Sequence, residues 1–175
     1  MNIRTLPRLL AITAGLSAHA AQAATTGTLN FVGQVNAGTC NLAAGDLNRT
    51  LTLPTIKIAD FDATPSTGAF DFEISADCES DIRNVTFLFA GSASTGNAVL
   101  FANTGTSGGT ALWLLHRATP GYTIPANGTD AQRSRTVETS SNKAVLPLTA
   151  AYHKTGAAVT QGTLASAVTV SITYN

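Results

Sequence analysis

Charge is scarce in this chain. Charged side chains make up 11% of its 175 residues, less than half of the roughly 25% usual in globular proteins. Lys plus Arg number 10 and Asp plus Glu number 10, so no basic surplus exists to meet phosphate, and a nucleic-acid surface is set aside. Aromatic residues are few, at 6%, with a single Trp. The two cysteines, Cys40 and Cys78, show no Cys-x-x-Cys spacing and have no histidine nearby, which argues against a metal ribbon or redox motif. No apolar run approaches the roughly 20 residues that span a bilayer, so stable membrane insertion is not expected. What fills the space is 27 threonines, 15 glycines and many alanines within a 44% apolar total. That mixture suits strands and turns rather than helices, and the length suits one domain.

The N-terminus reads as an address. Arg4 and Arg8 precede a short apolar stretch from Leu9 to Ala18, which ends at the small-residue triplet Ala21, Gln22, Ala23. This is a signal-peptide pattern, predicting export and cleavage after residue 23. The remaining 152 residues carry 8 basic side chains, since Arg4 and Arg8 leave, against 10 acidic ones, for a net charge of 8 − 10 = −2. Export places Cys40 and Cys78 in an oxidising compartment, where a disulfide is expected. It would close a loop worth roughly 3 to 4 kcal/mol on the chain-entropy estimate.

Period-two alternation recurs along the exported part. Leu29, Phe31, Gly33 and Val35 alternate with Asn30, Val32 and Gln34, and Leu51 and Leu53 alternate with threonines before Pro54. The clearest half-buried strand sets Phe70, Phe72, Ile74, Ala76 and Cys78 against Asp71, Glu73, Ser75 and Asp77. Val85, Phe87 and Phe89 follow, then Val99 to Phe101, Leu112 to Leu115 with Trp113, and Leu146, Leu148, Ala150 and Tyr152. Pro147 falls inside this last run and, lacking an N–H, predicts an edge strand or a bulge there. The final run is Val168, Val170, Ile172 and Tyr174. Seven or eight short strands without an amphipathic helix predict an antiparallel sandwich of immunoglobulin-like type. The Gly/Ser/Thr stretches 91–97 and 104–110 read as hairpin loops.

Chemistry is harder to find. His116 and His153 have no partner at ligand spacing. The acidic stretch from Asp77 to Asp81 lacks a calcium-loop pattern and reads as a solvated loop. No nucleophile elbow, phosphate loop or dinucleotide fingerprint occurs. Asn48, Asn84 and Asn127 stand in Asn-x-Thr sequons, a coincidence in a threonine-rich chain. Neither catalytic residue, metal nor cofactor is expected.

The two ends remain. The exported chain opens with about a dozen uncharged residues, 24–35, that have strand pattern but no turn partner. Such a strand is an edge hazard unless it pairs, and pairing with the exposed edge of another chain is a mode of recognition. Gly27-Thr-Leu-Asn-Phe-Val-Gly-Gln-Val35, then Asn-Ala-Gly-Thr-Cys40, with Cys78 downstream, resembles the start of the chaperone-usher pilins, in particular the type 1 family. The C-terminal part is equally similar: Ala150-Ala-Tyr152, Thr155-Gly156, Gly162 fourteen residues from the end, and the penultimate Tyr174. The stretch before Cys40 is a few residues shorter than in the commonest major subunits.

The resemblance implies an all-β, incomplete immunoglobulin-like sandwich lacking its last strand and completed in trans by a donor strand. Residues 1–23 would be the signal peptide, 24–35 the donor extension, and 36–175 the pilin domain. Leu29, Phe31 and Val35 would fill pockets of a neighbour's groove, with Gly33 where the groove is too shallow for a side chain. Gly162, Val168, Val170, Ile172 and Tyr174 would belong to the C-terminal side of that groove. Implied partners are a periplasmic pilus chaperone, an outer-membrane usher and neighbouring pilin subunits, with surface assembly as the destination. A minor tip, adaptor or glycan-binding subunit is the alternative; a secreted hydrolase would need a cluster that is not seen.

Overall fold

The computed structural model describes residues 28–118 and 121–175. The chain divides into two units, one ending at Val35 and one spanning Asn36–Asn175. In the first, Thr28 to Val35 forms no regular secondary structure. Leu29, Phe31, Val32 and Val35 are each more than four-fifths exposed. The alternation written there is not realised as a strand within the chain, because a strand's backbone groups need a second strand to bond.

Among its described residues the second unit holds eight strands: β1 (Cys40–Leu42), β2 (Ser66–Cys78), β3 (Asn84–Gly91), β4 (Thr110–His116), β5 (Tyr122–Thr123), β6 (Ser134–Glu138), β7 (Lys143–Lys154) and β8 (Val168–Tyr174). One four-residue helix, α1 (Asp130–Arg133), is capped by Thr129 and Gln132 in a reciprocal capping box. All strand pairs are antiparallel, in a five-stranded sheet ordered β1-β2-β7-β4-β5 and a three-stranded sheet ordered β6-β3-β8. The two sheets share one core in which Val85, Phe87, Phe89, Phe101, Ile124, Leu146 and Leu148 are sealed from solvent. The passage from β6 to β7 is a tight turn in which Ser140 and Lys143 exchange both backbone bonds. Ser141 and Asn142 there take φ of 51° and 62°, the left-handed pair that a type I′ turn requires.

The period-two runs at Phe70–Cys78, Val85–Phe89, Leu112–Leu115, Leu146–Tyr152 and Val168–Tyr174 all became strands. Two did not. Leu51–Leu53 joins no ladder, although Leu53 still packs against the core. Val99–Phe101 keeps only isolated bridges from Phe101 to Ala93 and Leu112. The expected edge position of Pro147 is also overturned, since β7 lies in the middle of the five-stranded sheet. The reason is local. The Pro147 carbonyl accepts from the Arg117 N–H at 3.0 Å, and a residue's N and O point to the same side of an antiparallel strand. The missing N–H therefore faces the place where β4 has just ended at His116, and the ladder to β2 loses nothing. The bulge lies instead in β2, between Thr67 and Phe70.

Candidate functional site

The exposed feature of this sandwich is the outer edge of β8. The strand pairs with β3 on one side, and it closes the three-stranded sheet on the other. Its register opposes Val85 to Tyr174, Phe87 to Ile172, Phe89 to Val170 and Gly91 to Val168. The Asn175 N–H donates to the Asn84 carbonyl, and the Thr139 N–H donates to the Arg83 carbonyl on the far side of β3. By the alternation of antiparallel ladders, Thr169, Ser171 and Thr173 therefore bond to β3, while Val168, Val170 and Ile172 aim their N–H and C=O groups at the free edge.

The same three residues turn their side chains toward the core, where they are only partly covered. Leu42, Leu53 and Leu164 share this half-covered state. An edge strand that offers unpaired backbone groups beside half-covered apolar side chains is a template for a further strand. Tyr174, which the resemblance sets on the C-terminal side of the groove, is 41% exposed at the end of the strand, where the strand has run past the aliphatic positions that the core covers. Gly162 lies outside β8, six residues before it. A Cβ there would come within 2.3 Å of the Ser107 nitrogen, so glycine is what lets the approach to β8 press against the loop ahead of β4.

That approach is held by a residue that carries no local signal. The Asn103 side chain donates to the carbonyls of Ser107 and Thr163, and its oxygen accepts from the N–H groups of Gly105 and Ala165. One amide thus ties the loop before β4 to the segment before β8, setting where β8 begins.

The two cysteines stand opposite each other in the β1–β2 register and are joined as a disulfide. The acidic stretch after β2 is not merely a solvated loop: Asp81 and Glu79 accept the backbone N–H groups of Gly38 and Thr39. His153 packs edge-on against Trp113 at 5.4 Å. Among the described residues no group of three or more His, Cys, Asp or Glu could hold a metal ion, and no helix is long and apolar enough to cross a membrane.

Comparison with known proteins fits this architecture. The sequence profile of the family described as Fimbrial protein matches residues 26–175. The chain is 28% identical to the type-1 fimbrial protein, A chain, of Escherichia coli (strain K12), over 99% of this chain and 100% of that one. It is also 28% identical to the minor fimbrial subunit HifD of Haemophilus influenzae, over 95% of this chain and 81% of that one. In fold it is similar to the P pilus rod subunit PapA, with a TM-score of 0.62 at 19% identity, covering 78% of this chain and 99% of that one. A chaperone-usher pilus structure gives the same score and identity, covering 86% of this chain and 96% of that one. With nearly its whole length matched and an open all-β sandwich beneath the match, this chain belongs to the fimbrial protein family, whose members are structural subunits rather than enzymes.

Proposed function

We propose that the subunit polymerises head to tail by donor-strand exchange, residues 24–35 of one copy pairing with the β8 edge of the next. The observation that carries this reading is the free edge itself, where Val168, Val170 and Ile172 combine outward backbone groups with half-covered side chains. The donor has the complementary pattern. Leu29, Phe31 and Val35 alternate along an exposed segment, and each large apolar side chain that becomes buried contributes about 1.5 to 3 kcal/mol. Gly33 leaves a gap where the groove has no depth. A contact between two different surfaces of the same molecule extends into a filament rather than closing a ring.

On this reading residues 1–23 direct export to the periplasm and are removed. A periplasmic chaperone lends a strand to the β8 edge until an outer-membrane usher exchanges it for the next subunit's extension. The product is a surface fimbria that contributes to adhesion. A minor tip or adaptor position in the same fimbria is the second reading, supported by the similarity to a protein described as a minor fimbrial subunit.

The test compares the chain from residue 24 with one from residue 36, on unboiled SDS gels and by electron microscopy. Ladders and filaments from the longer chain alone are expected. Equally stable monomers from both would defeat the reading. Filaments of the purified chain by itself favour the rod position, and short capped oligomers favour the minor one.

A further inference from the structure

Charge is unevenly placed along the exported chain. Its 8 basic and 10 acidic side chains all fall within residues 46–83 and 117–154, and residues 24–45, 84–116 and 155–175 carry none. The strand order turns this into a difference between the two ends of the sandwich. At one end β2 closes at Cys78, β3 and β7 begin, β6 stops at Glu138 and β8 runs out at Tyr174. The Cys40–Cys78 disulfide lies here. So do Asp77, Glu79, Asp81 and Glu138 against Arg83 and Lys143, all exposed, a local balance of 2 − 4 = −2.

The other end has a different surface. There β8 starts at Val168, opposite Gly91, and the loop ahead of β4 is laced to the segment ahead of β8. The Thr104 N–H donates to the Ala165 carbonyl at 2.7 Å, the Ser107 N–H to the Thr163 carbonyl at 3.0 Å and the Thr160 N–H to the Gly108 carbonyl at 3.1 Å. The Thr106 and Thr160 hydroxyls accept from the N–H groups of Thr163 and Gly108. The result is a shelf without charge beside the start of the β8 edge.

Every strand pair among the described residues is antiparallel. A donor that follows the same rule runs against β8 and ends with Val35 near Val168. Cys40 follows Val35 by five positions, at most about 18 Å, so the acidic end of the donor's own domain arrives beside the shelf. A donor running the other way would bring that end to Tyr174, about 20 Å along the strand, and set two acidic ends against each other. We infer that the shelf of residues 103–108 and 160–165 is the seat for the acidic end of a second copy of this chain. This rests on the donor-strand reading and adds to it a direction and a second contact surface. An uncharged seat accepts the acidic end without the repulsion that the reversed arrangement incurs, which is how charge fixes register and polarity at an interface.

Gln161 and Ala165 are exposed on the shelf, and charge placed there tests the seat. Filaments of the chain from residue 24 carrying Gln161→Glu or Ala165→Glu are expected to dissociate in urea about threefold faster than unsubstituted ones at low salt. Those carrying Gln161→Lys or Ala165→Lys are expected to dissociate about threefold slower. Both differences should vanish in 1 M salt, where the screening length is about 3 Å. An acetylated and amidated peptide of residues 24–35 brings no domain with it. Its binding to the unit from residue 36, which contains the whole core, should be the same for all four variants. A nitroxide on the C-terminal end of that peptide should broaden the amides of Ala165 and Ala167. Glu and Lys acting in the same direction, or neither acting, overturns the seat. Equal effects on peptide binding overturn it too, assigning the change to the groove, and broadening at Asn84 and Asn175 instead overturns the direction. If the unsubstituted chain forms no filaments and its groove binds no peptide, the donor-strand reading fails and the seat with it.

Discussion

Phe87 and Ile172 face each other across the β3–β8 ladder, yet Phe87 is wholly sealed and Ile172 is not. Both side chains enter the same core from adjacent strands. The difference is that β3 has a strand on each side while β8 has one. A single missing neighbour converts an interior position into a half-open one.

The two positions should therefore answer differently to truncation. Phe87→Ala is expected to cost about 3 to 5 kcal/mol in the isolated domain, the range for a large buried aromatic. Ile172→Ala should fall below the roughly 2 to 5 kcal/mol of a fully buried aliphatic. Once a donor strand covers it, the loss should rise into that range. Urea unfolding of each variant, with and without a peptide of residues 24–35, measures the contrast.

Within the extension, Phe31→Ala should weaken the joint by more than any other single change, because Phe31 offers the largest apolar surface. If it is fully buried in the joint the loss is about 3 to 5 kcal/mol, read as faster dissociation of SDS-resistant ladders. Gly33→Leu should also weaken it, by about 1 to 3 kcal/mol of overpacking. Substitution at Val32, on the opposite side of the extended chain, should change little.

The Cys40–Cys78 disulfide ties a three-residue edge strand, β1, to the longest strand of the sheet. Reduction, or Cys40→Ala with Cys78→Ala, is expected to lower stability by about 3 to 4 kcal/mol. Unfolding curves in the presence and absence of reductant check this, and β1 should be the first element to lose exchange protection.

Acid should weaken the fold partly through His116. Burial first, and the positive charge of Arg135 second, hold its pKa below the ordinary 6.5. The folded chain thus takes up this proton less readily than the unfolded one. Its contribution is fully present above pH 6.5 and is lost as pH falls below that value. His116→Gln is expected to flatten the fall in thermal midpoint on acidification through that window. An unchanged profile would assign the acid sensitivity elsewhere.

Much of this molecule is legible in its sequence where burial alone dictates the pattern. The alternation from Phe70 to Cys78 and that from Val168 to Tyr174 each became a strand in the expected phase, because one face must meet the core. Legibility fails where a partner decides. Leu51 and Leu53 have the same alternation but no neighbouring backbone to bond, so only the packing of Leu53 survives. Pro147 looked like an edge marker, and its central place depends on β4 ending one residue short of it, which is a property of the other strand. Asn103, Asp81 and Glu79 carry no local signal, since the groups they hold lie up to about sixty positions away. The extension is the converse case: its pattern is plain, residues 28–35 form no strand within the chain, and on the donor-strand reading a second molecule completes it.

The central claim is that β8 presents an unpaired edge that accepts residues 24–35, and amide hydrogen exchange on the chain from residue 36 tests it most directly. In the isolated domain the amides of Thr169, Ser171 and Thr173 should be protected by β3, while those of Val168, Val170 and Ile172 exchange freely. Adding the peptide of residues 24–35 should protect Val168, Val170 and Ile172 selectively. Protection of all six amides before the peptide is added, or no change on adding it, would contradict the account.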